Sequence, residues 1–153
     1  MGLDMYLTRK LYVKNWRHDK GPKHKVILEG PLADHYSSEK VQCIIEECIY
    51  WRKANWFHKW FVDNVQGGVD NCGTYYVGQG NLVQLYNLIN EVLAHRSTAP
   101  EKLPPELGFF FGSDDFDEWY WGSLKETAEE LKPIVERIKA GNEQGEFYYH
   151  SSW

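Results

Sequence analysis

Hydrophobic residues recur at helical spacing in the second half of the chain and predict two amphipathic helices. The first begins near Gly80, and the second begins at a capping box formed by Ser123 and Glu126. Pro133, inside the second helix, predicts a kink or a break. The apolar faces carry Leu82, Leu85, Leu88, Ile89, Val92 and Leu93 in the first helix and Leu124, Ala128, Leu131, Val135 and Ile138 in the second.

A longer helix is predicted over residues 39–66. Ser37 or Ser38 supplies an N-cap, and no Gly or Pro interrupts the chain before Gly67 and Gly68. These two glycines can adopt the positive φ that ends many helices. The segment is rich in aromatic residues, and we expect it to be the central element of the fold.

Shorter apolar or alternating segments predict strands. They cover residues 3–13 (as one strand or two short ones), 26–28, 74–77, 108–112 and 146–153. Strands and helices alternate irregularly, which favours an α+β fold. We expect a mainly antiparallel sheet of four to five strands, one long central helix and two further helices. No repeat or linker divides the chain, so residues 1–153 are expected to form a single domain.

Polar side chains interrupt the broad apolar face of the predicted long helix. At about 100° per residue, Arg52, Asn55 and Lys59 lie in the middle of that face, and His58 borders it. Trp51 and Trp56 flank these groups and could stack on a flat ligand. The predicted ligand-binding residues are therefore Trp51, Arg52, Asn55, Trp56, His58 and Lys59.

Two interpretations of this polar stripe stay open. Buried cations need partners, and the carboxylates of residues 114–118 could pair with them inside the protein. If the stripe instead opens onto a cleft, the same groups can bind an anion.

Composition restricts the partners that the chain can take. Its net charge is −5 and its pI is near 5.7, so it lacks the basic footprint of a general nucleic-acid-binding protein, although a local cationic pocket is compatible with these values. Aromatic residues make up 16% of the chain, which is compatible with a homo-oligomer. We expect no membrane association, because no apolar run reaches membrane-spanning length and the N-terminal residues lack the core of a signal peptide.

Catalytic and metal-binding signatures are not found in the sequence. Cys43, Cys48 and Cys72 form no CxxC pair, which favours reduced thiols over a disulfide framework or a zinc site. Cys72 with His58 is the one plausible Cys/His pairing, although a structural role for each is the simpler interpretation. We expect no metal and no cofactor, and the sequence favours a non-enzymatic protein while leaving catalysis open.

Several blocks of the chain resemble a family of small, functionally uncharacterised proteins encoded by bacteriophages and prophages. The densest blocks lie at residues 50–55 and 58–66, and others lie at 2–7, 108–113, 117–120 and 147–153. Two departures from the family pattern add aromatic or ionisable character, namely Trp56 with Phe57 before His58, and His150 where an amide is usual.

The resemblance implies an accessory protein that acts in the cytoplasm of an infected bacterium, and it implies no agreed activity. Our leading hypothesis is a host-takeover or anti-defence protein that captures a small anionic ligand of nucleotide type, such as an immune signal. The alternatives are a protein–protein inhibitor of a host defence factor and a small nucleotide-processing enzyme.

Overall fold

A four-stranded antiparallel sheet forms one layer of the protein. The computed structural model describes residues 2–108 and 113–153. The strands are β1 (Asp4–Tyr12), β2 (Cys43–Arg52), β3 (Thr74–Val77) and β4 (Glu146–Ser152), in the order β2-β1-β4-β3. Each neighbouring pair is antiparallel, which confirms the predicted α+β class. The predicted strand at 108–112 falls on residues that, apart from Gly108, lie outside the described part of the chain.

The helices form a second layer, and their buried side chains share one hydrophobic core with the sheet. They are α1 (Asn55–Asn64), α2 (Gln79–Ala94), α3 (Ala99–Lys102) and α4 (Glu118–Lys139). Short 3₁₀ turns at Ala33–His35, Ser38–Lys40 and Arg96–Thr98 lie in the connections. Within the described residues, no helix is both long and apolar enough to cross a lipid bilayer.

The predicted long helix over residues 39–66 is wrong. Its first half is the edge strand β2, and only its second half is helical, as α1. Between the two, Lys53 adopts a positive φ of 56°, which is incompatible with a continuous right-handed helix. The C-terminal stop was predicted correctly, because α1 ends at Asn64 and both Gly67 and Gly68 have positive φ.

Side-chain shape explains why residues 43–52 form a strand. The segment contains three Ile, one Tyr and one Trp, which fit a pleated surface better than a helix. Near its end, Ile49 and Trp51 are buried while Tyr50 and Arg52 are exposed, which is the alternation of a sheet with one covered face. The absence of Gly and Pro permits a helix but does not require one.

Two smaller expectations differ from the structure, and at Pro133 one of two predicted outcomes, the break, is excluded. Residues 26–28 form no strand. Helix α4 begins six residues earlier than predicted, because its N-cap is Asp117, which accepts a hydrogen bond from the Tyr120 amide, and Ser123 lies inside the helix. The helix does not break at Pro133, which lies on its exposed side, where water can satisfy the carbonyl that Pro leaves unpaired.

The hydrophobic core lies between the sheet and the helices. Helix α1 contributes Trp56, Phe57, Trp60 and Phe61, and α2 contributes the predicted Leu82, Leu85, Ile89 and Val92. The sheet contributes Met5, Leu7, Ile49, Trp51, Val77, Phe147 and Tyr149, and Leu3, directly before β1, belongs to the same core. Phe61 stacks on Tyr149 with ring centroids 4.0 Å apart and therefore fixes α1 against β4.

Candidate ligand-binding cleft

A cleft of about 540 Å³ lies between the end of β2 and the first half of α4. Tyr50, Trp51 and Arg52 line it from the strand, and α4 contributes Glu118, Trp119, Gly122, Ser123, Glu126, Thr127 and Glu130. A cleft of this size can enclose a small organic molecule. One side of the cleft is the end of β2 with the exposed Arg52, and the other side is the first turns of α4.

The floor of the cleft is held by a hydrogen bond between the two elements. The Trp51 indole nitrogen donates to the Thr127 hydroxyl at 2.8 Å, and both side chains are buried. The Trp51 ring also contacts Phe57 and Phe61 of α1. Trp51, which is only 5% exposed, therefore supports the cleft from below.

One end of the cleft is cationic. Arg52 and Trp119 also line an adjoining cavity of about 460 Å³, together with Lys53 and Ser113. Among the residues that the structure describes, neither Arg52 nor Lys53 forms a salt bridge, and Trp119 is 59% exposed. An exposed indole beside two cations that form no salt bridge in the described part of the chain suits a ligand with a flat ring and an anionic group.

The other end of the cleft is acidic. Glu126 and Glu130 lie one turn apart on α4, whereas Glu118 is the neighbour of Trp119 at the helix start, near the cationic end. Burial raises the pKa of Glu130, and the neighbouring charge of Glu126 raises it further. This end offers hydrogen-bond acceptors and would repel a second anionic group.

Asn55 and Lys59 make internal contacts rather than facing the cleft. The Asn55 amide nitrogen donates to the Ser113 carbonyl at 3.2 Å, and its amide oxygen accepts from the Glu106 backbone N–H at 3.1 Å. Lys59 pairs with Asp63 at 3.1 Å and with Glu106 at 3.8 Å. The hydrogen bond to Asp63 raises the pKa of Lys59 above its ordinary value. The carboxylates that pair with Lys59 come from Asp63 and Glu106. They therefore lie outside residues 114–118, the segment that the sequence suggested as their source.

Trp56 is buried on the core side of α1. Its ring meets the edge of Tyr120 at 4.9 Å, and its indole nitrogen has no acceptor among the described residues. Trp56 and Lys59 do line a separate cavity of about 180 Å³ beside α3. That volume is too small for a nucleotide, so stacking on Trp56 would require the core to open.

His58 is buried, and both ring nitrogens have partners. Nδ1 lies 2.7 Å from the Tyr149 hydroxyl, and Nε2 lies 2.9 Å from Asp70. Neither nitrogen is therefore placed to activate the exposed thiol of Cys72. No cluster of metal-ligating side chains occurs in residues 2–108 and 113–153.

Of the six predicted site residues, the structure brings Trp51 and Arg52 to the main cleft. Lys53 and Trp119 were not predicted. A signal for Trp119 was present, since Asp117 is a good N-cap and places an aromatic residue on the exposed first turn of the helix. Lys53 could not have been found, because its position depends on the end of a strand that the sequence presented as helix.

Comparison with known proteins yields one informative similarity. The chain is 24% identical over 104 residues to the AimR transcriptional regulator of Bacillus phage phi3T. The matched region covers 68% of this chain but only 23% of that regulator, so the chain spans about a quarter of its length. No protein-family model and no solved structure matches the chain. The similarity to a phage protein agrees with the phage origin that the sequence blocks imply.

Proposed function

We propose that this is a phage-encoded accessory protein that binds a small anionic ligand of nucleotide type in the cleft and does not convert it. The host cytoplasm is the proposed place of action, and an anti-defence role by capture of a nucleotide signal is the proposed purpose. The phage similarity supports the origin, and the chemistry of the cleft supports the ligand class.

The proposal rests on the positions of Arg52 and Trp119, which both line the cleft and the adjoining cavity. A guanidinium binds phosphate through two parallel hydrogen bonds, and an exposed indole stacks on a base. Lys53 supplies a second positive charge at the same end. Trp119 thus takes the stacking role that the sequence suggested for Trp51 or Trp56.

The acidic end of the cleft restricts which anionic ligands can bind. Glu126 and Glu130 accept hydrogen bonds, as base amino groups and ribose hydroxyls require. A ligand with phosphate at one end and donors at the other satisfies both ends. A compact polyphosphate does not, because its charge would lie close to the glutamates.

Isothermal titration calorimetry against cyclic nucleotides and ADP-ribose derivatives tests the proposal. We expect one or more to bind, and expect Arg52→Ala and Trp119→Ala each to weaken binding at least tenfold. Lys132→Ala, which removes an exposed cation elsewhere on α4, is the matched control and should bind normally. Absence of binding across the panel would refute the proposal.

Two further measurements separate the alternatives. Chromatography of the ligand after long incubation should recover it unchanged, whereas turnover would indicate a nucleotide-processing enzyme. Co-purification from a bacterial lysate with one host protein in fixed ratio, undiminished by Arg52→Ala, would instead support an inhibitor that acts through protein contacts.

A further inference from the structure

The far end of the β1–β2 hairpin displays alternating cationic and aromatic side chains. Lys10 lies over the ring of Tyr12 at 5.0 Å, and Lys14 lies over the ring of Trp16 at 4.0 Å. Tyr12 is 58% exposed and Trp16 is 52% exposed. We define the basic strip as Lys10, Tyr12, Lys14, Trp16 and Arg17.

Charge is strongly concentrated in this part of the chain. Residues 10–25 contain six Lys or Arg and one Asp, a net charge of +5 in a chain whose total is −5. Among the described residues, no salt bridge involves the cations of the basic strip. The positive charge of the strip is therefore directed to solvent and attracts anions.

The loop that carries Trp16 is held in shape by its own hydrogen bonds. The Asn15 amide donates to the His24 carbonyl at 2.6 Å and accepts from the His24 backbone N–H at 2.8 Å. Lys23 donates to the carbonyl oxygens of Trp16 and Asp19. The strip is thus a preorganised surface, and a ligand need not order it.

We infer that the basic strip binds single-stranded nucleic acid. Bases would stack on the open faces of Tyr12 and Trp16, and the ammonium groups of Lys10 and Lys14 would lie beside them, close to the backbone phosphates. Interleaved aromatic rings and cations are the features by which proteins hold unpaired strands without reading sequence. The inference is independent of the proposed cleft ligand and is compatible with the acidic composition of the whole chain, because the strip is local.

A single strand fits this surface better than the other polyanions. A duplex hides its base faces, so the exposed rings would contribute little to binding it. An anionic membrane would be favoured by a broad apolar face, whereas Tyr12 and Trp16 are separated by cationic side chains.

Fluorescence anisotropy with labelled 15-nucleotide oligothymidylate and oligouridylate tests the inference in the intact protein. We expect both to bind at low salt, and more weakly as salt rises. Trp16→Ala should weaken binding roughly tenfold because one stacking surface is lost, and Trp16→Phe should restore most of it. The double variant K14A/R17A should reduce the slope of log affinity against log salt by about 1.4.

Matched controls distinguish the strip from the cleft. Lys125→Ala with Lys132→Ala removes two exposed cations of α4 and should leave oligonucleotide binding unchanged, as should Trp119→Ala. Equal affinity for a 15-base-pair duplex, or full binding by Trp16→Ala, would overturn the inference. So would failure to bind either oligonucleotide, including the case in which the protein binds vesicles of phosphatidylglycerol instead.

Discussion

The Nδ1 atom of His58 lies 2.7 Å from the phenolic oxygen of Tyr149, and both residues are buried. The other ring nitrogen, Nε2, lies 2.9 Å from a carboxylate oxygen of Asp70, and a neutral imidazole with its proton on Nε2 would donate to Asp70 and accept from the Tyr149 hydroxyl. Burial raises the pKa of Tyr149, which keeps that hydroxyl protonated. This chain of bonds links α1, β4 and the loop after α1.

Replacing Tyr149 by Phe should therefore destabilise the protein. The change removes the hydrogen bond between the Tyr149 hydroxyl and Nδ1 of His58, at a cost of about 0.5–1.5 kcal/mol in the free energy of unfolding. Urea denaturation measures the loss. Tyr76→Phe, which removes a hydroxyl from a 60% exposed tyrosine on the outer face of the sheet, is the control. Equal effects of the two changes would contradict the role given to His58.

Glu143 is expected to make stability depend on acid pH. Its carboxylate accepts hydrogen bonds from Arg9 at 3.1 Å, from Arg137 at 2.8 Å and from the Gly145 amide at 3.2 Å. Burial alone would raise the pKa of Glu143, but the bonds from Arg137, Gly145 and Arg9 outweigh it and leave that pKa below its ordinary value. The stabilisation is therefore present above the unfolded-state pKa of about 4.3 and is lost as pH falls through the folded-state pKa.

Glu143→Gln tests this dependence. We expect a loss of about 2 kcal/mol at pH 7, because Arg9 and Arg137 lose a shared partner, and a smaller difference from the parent at pH 3. Thermal unfolding monitored by circular dichroism at both pH values measures the effect. Glu129→Gln, an exposed site on α4, should show neither change. A constant difference across pH would exclude titration of Glu143 as the cause.

Thr127→Val should loosen the floor of the cleft while keeping the volume of the side chain. The Trp51 indole N–H loses its acceptor, which costs about 1–3 kcal/mol of unfolding free energy. Nitrogen–proton NMR should show one indole resonance shifted upfield, and ligand affinity should fall with it. An unchanged indole spectrum would show that Trp51 does not depend on Thr127.

Replacing Lys53 by Gly should stabilise the fold and weaken binding of the anionic ligand. It adopts φ of 56°, so Lys53→Gly relieves backbone strain and is expected to stabilise the fold by about 0.5–1 kcal/mol, whereas Lys53→Ala keeps the strain. Both variants lose the cation and should bind the anionic ligand more weakly to the same extent. Chemical denaturation with calorimetry separates the two effects. Equal stability of the Gly and Ala variants would contradict the strain.

Helices and strands with regular hydrophobic spacing were predicted correctly from the sequence, whereas the boundary between β2 and α1 was not. Helix α2 and strands β1, β3 and β4 follow from local alternation or helical spacing. The error at residues 39–52 arose because Ile and aromatic residues suit either a buried helix or a strand, and only pairing with β1 decides between them. The same error affected the expected placement of the ligand-binding residues. Placing Arg52 and Lys59 on one helix face required a continuous helix, whereas Arg52 ends strand β2 and α1 begins only at Asn55.

Sheet order has a consequence for synthesis on the ribosome. Strand β4 lies between β1 and β3, so the centre of the sheet joins positions as far apart as Thr8 and Tyr148, which are 140 residues apart. Because the ribosome adds roughly 5–20 residues per second, β4 is synthesised on the order of 10–30 s after β1. During that interval one edge of β1 is unpaired, which leaves the nascent hairpin open to pairing with a strand of another chain.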